Sequence, residues 1–342
     1  MNTDNDRIVL ENGPIKVVLL PGSGGRIESL QGAGFEFLLQ SVDSGPRNPY
    51  ERMTPGISFQ DGACSGIDEC LPTVARSGIG IPDLEVPDHG DFWAIPWTLQ
   101  EPATAHSVTI TADGTSRPLR FTKRLEVYPT SLRIDYVVQN LGSQPVEYLY
   151  ACHPLLSIDV GDRIVLPKSV SSLRVESSAR NRLGNQGDSI SWPITHDASG
   201  PIDLSVTLPS IANTADMLYT GPLAYGRCGL FRSAVGRGVV LHFDHAQLPY
   251  LGLWLCYGGW PDDSERRQFA IALEPTVAAR GSLENAIRDK VAPVLEANQT
   301  RSWTIEFLIA GLTEVISEET FVRGIESGVA SPVRLSDLVS KT

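Results

Sequence analysis

Apolar and polar side chains alternate with a period of two in one short run after another, and the runs are broken by Gly, Pro, Asn or Asp. That spacing sends successive residues to opposite faces of an extended chain. It lacks the 3.6-residue stripe of an amphipathic helix. Leu132, Ile134, Tyr136 and Val138 alternate with Arg133, Asp135 and Val137. Residues 119–128 repeat the pattern, and Tyr128-Pro129-Thr130-Ser131 supplies the turn of a hairpin. Further runs lie at 16–20, 26–30, 36–39, 107–111, 146–151, 163–166, 204–208, 239–243, 250–256, 269–273 and 303–310. The pattern predicts an all-β fold, a large antiparallel β-sandwich, and 31 glycines and 24 prolines suit its many turns. Helices are expected only behind the Ser282 N-cap and at residues 313–319. No composition shift marks a linker and no segment repeats, so residues 1–342 are read as one domain. Two segments break the pattern: residues 178–201, a polar and less suggestive loop, and residues 40–96, rich in Gly, Pro, Asp and Ser and dense in aromatic side chains. Long irregular segments in compact domains usually carry function.

Several classes are excluded early. A net charge of −12 argues against a nucleic-acid partner, which needs clustered Lys and Arg. No apolar run is long enough for a membrane span, and residues 1–6 are too polar for a secretion signal. Cys64, Cys70, Cys152, Cys228 and Cys256 lack CxxC spacing and read as free thiols, so a cytoplasmic location is expected. His242 and His245 would point to opposite faces of a strand, without a third ligand motif, so no metal is expected there. Gly22-Ser23-Gly24-Gly25 is neither a dinucleotide nor a phosphate loop, and there is no G-x-S-x-G elbow.

Three places put an ionisable group where chemistry needs one. In Phe269-Ala270-Ile271-Ala272-Leu273-Glu274-Pro275 the large residues share one face, and Glu274 shares the other with two alanines, which leave room for a ligand. Pro275 holds Glu274 extended. On residue type alone a solvent-facing glutamate at a strand end is the commoner reading, since most glutamates are simply exposed. In Leu149-Tyr150-Ala151-Cys152-His153-Pro154, His153 points away from Cys152, which disfavours a thiol–imidazole pair. Histidine serves as acid or base near neutrality, and a structural histidine is the competing reading. Asp88-His89-Gly90, with Trp93 and Trp97 nearby, combines charged acceptors with flat apolar faces, as a sugar site does; a turn capped by its own aspartate is the alternative. Asp68 and Glu69 add carboxylates in the same segment, and Trp254 faces away from Leu251, Leu253 and Leu255 as either platform or packing.

Taken together these pieces resemble the aldose 1-epimerase family. Leu19-Leu20-Pro21 with Gly24-Gly25-Arg26-Ile27, Asp68-Glu69-Cys70-Leu71-Pro72, Asp88-His89-Gly90, His153-Pro154, Gly252-Leu253-Trp254 and Ala272-Leu273-Glu274-Pro275 occur in the family's order, over residues 17–312. The resemblance implies a β-supersandwich that interconverts the α and β anomers of an aldose without metal or organic cofactor. It also implies Glu274 as general base, His153 as general acid, His89 as the second histidine, and Asp88, Asp68, Glu69, Trp254 and Arg26 as sugar contacts. From ordinary values near ~4.3 and ~6.5, glutamate and histidine would need only modest tuning. Relatives acting on hexose 6-phosphates carry an arginine where this chain reads Cys64-Ser65-Gly66-Ile67-Asp68-Glu69, so an unphosphorylated sugar is expected. The family's hydroxyl-binding aspartate has no clear counterpart; the local match around Asp244 is poor. The expected partner is a small-molecule sugar, with no nucleic acid and no membrane, for a monomer or homodimer. A non-catalytic carbohydrate-binding or sensing protein on the same sandwich is the alternative.

Overall fold

Strands form where the alternation is cleanest. Leu119–Tyr128 and Ser131–Asn140 pair from Leu119↔Asn140 to Tyr128↔Ser131, leaving Pro129 and Thr130 as the whole turn. Buried side chains alternate along both with more exposed ones. The computed structural model describes residues 7–41, 54–78, 85–262 and 267–326. Residues 1–6, read above for a secretion signal, and part of the irregular 40–96 segment lie outside the described residues.

Among the described residues, eleven strands make the larger sheet. Its order is Ile8–Asn12, Ile15–Leu20, Arg26–Gly32, Ile67–Cys70, Ala151–Leu156, Phe269–Thr276, Tyr250–Tyr257, Thr214–Thr220, Ser172–Ser178 and Ser189–Ser191, with Phe35–Glu36 beside Arg26–Gly32. Eight strands make the second: Arg163–Val165, Arg227–Arg232, Arg237–Phe243, Thr300–Ala310, Ser131–Asn140, Leu119–Tyr128, Ser107–Asp113 and Thr98–Leu99. Neighbouring strands in both are antiparallel. One cluster of fully buried side chains, including Leu253 and Leu273 from the first sheet and Ile134 and Phe307 from the second, fills the space between them. Withdrawing that apolar surface from water is what holds the layers together. The other face of the large sheet carries a smaller cluster. Along Phe269–Thr276, Ile271 and Leu273 belong to the main core, whereas Ala270 and Ala272 join Phe59, Trp93 and Leu155 on the far side. The antiparallel sandwich and its hairpin are as the alternation predicts. No helix among the described residues is long and apolar enough to cross a membrane.

Several elements differ from expectation. Residues 204–208 form no strand; Val206 makes a single bridge to Arg163, and the neighbouring hairpin is Ile194–Asp197 with Gly200–Asp203, which begins inside the segment read as loop. The run 146–151 divides into Val146–Glu147, paired with Val294–Leu295, and the separate strand Ala151–Leu156. Ser282 caps Leu283–Arg288, accepting a bond from the Asn285 amide at 3.2 Å. The second helix starts later than expected, spanning Glu318–Glu326, because Ser317 accepts from the Thr320 amide and opens the turn there. Ile67–Cys70, inside the irregular segment, is a strand with every residue buried.

Candidate active site

Antiparallel register gathers the ionisable groups into one line across the large sheet. His153 pairs with Asp68 on one side. On the other, the partners Ala151↔Thr276 and Leu155↔Ala272 set His153 opposite Glu274. Glu274 in turn pairs with Gly252, Gly252 with Tyr219, and Tyr219 with Arg174. Directly opposed residues share a face, so this row looks away from the sandwich core. Its centre is the pair His153 Nε2 and Glu274 Oε1, 3.7 Å apart. Asp68 Oδ1, His153 Nδ1, Glu274 Oε2 and the Tyr219 hydroxyl are buried without a hydrogen-bond partner. Unpaired buried polar atoms each cost about 1–3 kcal/mol, and four in one row mark a site built to be satisfied by something else.

The irregular segment roofs this row. His89 has φ 59°, a left-handed conformation, and its ring stacks on Phe59 with centroids 4.0 Å apart and planes at 6°. The same ring stands edge-on to His153, centroids 5.2 Å apart. Asp88 fixes it: Oδ1 bonds His89 Nδ1 at 3.0 Å, while Oδ2 accepts from the Phe59 amide at 2.8 Å. Gly90 makes the turn possible. Its φ is +76°, and a Cβ there would stand 2.0 Å from the Leu71 carbonyl oxygen. Gly90→Ala is therefore expected to lower Tm and to displace His89 from Phe59, seen as a shift of the His89 ring resonances in the protein that remains folded. An unchanged Tm in that variant would contradict the packing described.

Burial dominates the electrostatics. It pushes the Glu274 carboxyl up to about 8 and drives the His153 imidazolium well below its usual range, with His89 reinforcing the latter. It pushes Asp68 up to about 7 against the pull of Arg26, Lys123 and His89. Asp88 goes the other way. Burial raises it, but bonds from His89, Phe59 and Ser58 outweigh burial and keep it a carboxylate. At neutral pH the resting pair thus holds one proton, on Glu274, facing a neutral imidazole. The tuning of Glu274 is large, not modest.

The fold brings Glu274, His153, His89 and Asp68 together on one face. Glu69 is not. It points to the opposite face, where Oε1 accepts from Lys123 Nζ at 2.9 Å and Tyr136 at 3.0 Å, and Oε2 from Tyr150 at 2.9 Å. Adjacent residues of one strand cannot both face a ligand. Asp88 spends both oxygens on protein donors and positions His89. Arg26 is fully buried, its Nε on Glu28 Oε2 at 2.9 Å, and acts on Asp68 through its charge. Trp254 lies on the site face beside Ala272, half-buried, its Nε1 donating to Gln268 Oε1 at 2.6 Å. The alanines leave room for the aromatic cluster instead of an open floor, since both are fully buried with Trp93 and Phe59. Trp97 lies in the main core and Trp93 is buried in the roof, so neither offers a sugar a flat face. Asp244 is exposed on the turn after Arg237–Phe243, on the second sheet. Sequence reasoning missed Phe59, which gave no periodic signal, and Tyr219, whose alternating run 214–220 was legible but unread.

No protein-family model matches the chain, and no curated protein matches it in sequence. Solved structures do match. A protein of Synechocystis aligns with TM-score 0.65 and 17% identity, over 89% of this chain and 95% of that one. A candidate aldose 1-epimerase of Escherichia coli K12 aligns at 0.64 and 14%, over 89% and 98%. A galactose mutarotase-like protein of Lactobacillus casei aligns at 0.63 and 14%, over 89% and 99%. The fold is the galactose mutarotase-like β-sandwich.

Proposed function

We propose that this chain is an aldose mutarotase acting on an unphosphorylated sugar. The observation that supports the reading is the Glu274–His153 pair: two buried groups 3.7 Å apart, sharing one proton, in a row of unsatisfied polar atoms. Mutarotation removes the proton of the anomeric hydroxyl and protonates the ring oxygen, opening the ring. Rotation about the adjacent C–C bond and reclosure give the other anomer. A base and an acid across one C–O unit are what this needs. Glu274 serves as base and His153 as acid once the resting proton has passed from the carboxyl to the imidazole. Because closure reverses opening, the pair ends each cycle with the same single proton. His89, held by Asp88, orients the sugar oxygens, and Asp68 accepts from a hydroxyl. Arg26 and Lys123, the cations acting on Asp68, are tied to Glu28 and Glu69, which disfavours a phosphorylated substrate.

Polarimetry with pure anomers of glucose, galactose, xylose and glucose 6-phosphate tests this directly. Acceleration of an unphosphorylated sugar above the spontaneous rate is expected. If none is accelerated the proposal fails, and calorimetric binding without acceleration identifies a binding protein instead. The pH dependence follows from the proton count. Above about 8 Glu274 loses the shared proton, and well below 6.5 His153 takes up a second. This pair is expected to hold kcat/KM level from below 6.5 to about 8 and to lower it above that, with any step near 7 belonging to Asp68. A profile that rises through 8 would contradict the shared-proton pair.

A further inference from the structure

Glu274 has two oxygens in different surroundings. Oε1 looks toward His153. Oε2 is buried and lies on the Gly252 side: a Cβ built at Gly252 would stand 3.2 Å from Oε2, 3.2 Å from Tyr219 Cε1 and 2.8 Å from Met217 Cε. The glycine thus lets a carboxylate oxygen, a phenol ring and a thioether methyl converge. Tyr219 is fully buried, its hydroxyl has no partner, and its main chain pairs with Gly252 on the side away from Glu274. Two orphaned polar groups, a donor and an acceptor, therefore flank one residue without a side chain. Leaving both unmade is costly, and one water bonded to each would satisfy both.

We infer that Tyr219 is a positioning residue: its hydroxyl, through one enclosed water beside Gly252, hydrogen-bonds Oε2 of Glu274 and holds the carboxylate toward His153. The inference rests on the reading of Glu274 as the acid/base group. Burial keeps the phenol protonated, well above its usual range, so Tyr219 donates at any working pH. A donor at Oε2 favours the charged carboxylate, the form the base must take. The other groups around Glu274 are His153 on the neighbouring strand, Asp68 and Cys70 from Ile67–Cys70, Cys152 on the reverse face, and the His89–Asp88 pair of the roof. Arg174 and Glu176 lie beyond Tyr219. None of these has an interaction with Oε2 that removes the need for a donor there.

Tyr219→Phe tests the link. Losing a donor to a carboxylate is expected to move the alkaline limb of the kcat/KM profile upward by about one pH unit and to lower kcat about tenfold with KM unchanged. A second readout does not depend on turnover. The Tm difference between the parent and Glu274→Gln, followed against pH, reports where Glu274 titrates. Its inflection near 8 should move upward by the same amount when both proteins carry Tyr219→Phe. Gly252→Ala, whose methyl would stand 3.2 Å from Oε2 and from the Tyr219 ring and so crowd the bridge while leaving the hydroxyl in place, should produce the same shift and keeps the test open if Tyr219→Phe folds poorly. An inflection that stays put in both variants overturns the inference, even if Tm itself changes. A shift of that inflection in a protein that turns over no sugar would uphold the link and reject the mutarotase reading.

Discussion

Glu274→Gln is expected to lower the catalysed mutarotation rate by about two to four powers of ten, while the variant becomes more stable than its parent at pH 8. The first half follows from the role. Glutamine keeps the shape and cannot carry the proton between the anomeric hydroxyl and the ring oxygen. The second half follows from burial. The folded protein holds the Glu274 proton up to about 8, whereas the unfolded chain releases it near 4.5. A folded value raised above the unfolded one means that stability is fully present below about 4.5 and is lost as pH climbs to about 8. The loss is about 1.4 kcal/mol for each unit in that window. Glutamine has no proton to lose. The variant's advantage in Tm should therefore be absent at pH 4 and grow to pH 8, as measured by thermal unfolding across that range. His153→Asn should lower turnover by a similar factor. Near-parental rates in either variant, on a sugar the parent accelerates, remove the acid/base assignment. A Glu274→Gln protein with no gain in Tm at pH 8 removes the buried-carboxyl account.

The other large effect is structural. Lys123→Met is expected to destabilise the fold by about 3–5 kcal/mol, because Lys123 and Glu69 are both fully buried and removing one partner strands the other's charge in the core. Tyr136 and Tyr150 still donate to Glu69, but neutral donors do not replace an ammonium. Replacing both members, Lys123→Met with Glu69→Leu, should recover much of the loss, since apolar packing substitutes well for a buried pair. Chemical denaturation of the parent and both variants measures this. Turnover per folded molecule should fall far less than in Glu274→Gln, because Glu69 faces the core and not the sugar and Lys123 reaches the site only through its charge on Asp68. A Lys123→Met protein of parental stability, or a Glu69 variant whose only defect is a raised KM, would return Glu69 to the sugar side.

What could be read from the chain tracks the physics of each signal. Glu274 and His153 were legible because strand parity assigns them a face before any folding is known, and the proline after each marks an extended exit. Asp68 and Glu69 were misjudged as a unit because the strand Ile67–Cys70 is buried on both sides. Its carboxylates look like loop chemistry until Lys123, from the opposite sheet, is seen to neutralise one of them. The alanines of the Glu274 strand were read as vacant space, but Trp93 and Phe59, far away in sequence, fill it. Phe59 itself left no trace: its place against His89 depends on a left-handed backbone and an aspartate bond that no periodicity encodes.

On the mutarotase reading, the proposed acid/base pair sits on two hydrogen-bonded neighbours of a sheet, whereas the histidine above it hangs from an irregular segment. Slipping the Glu274 strand by one position would turn its carboxyl into the core, so that strand tolerates no insertion. The described roof residues around Phe59 and His89 belong to no strand and have no such register to keep. Changes in the length or contour of that roof would alter which molecule is gripped without altering the spacing at which protons are exchanged. Divergence in substrate choice among proteins built this way should accumulate in the canopy and spare the ladder.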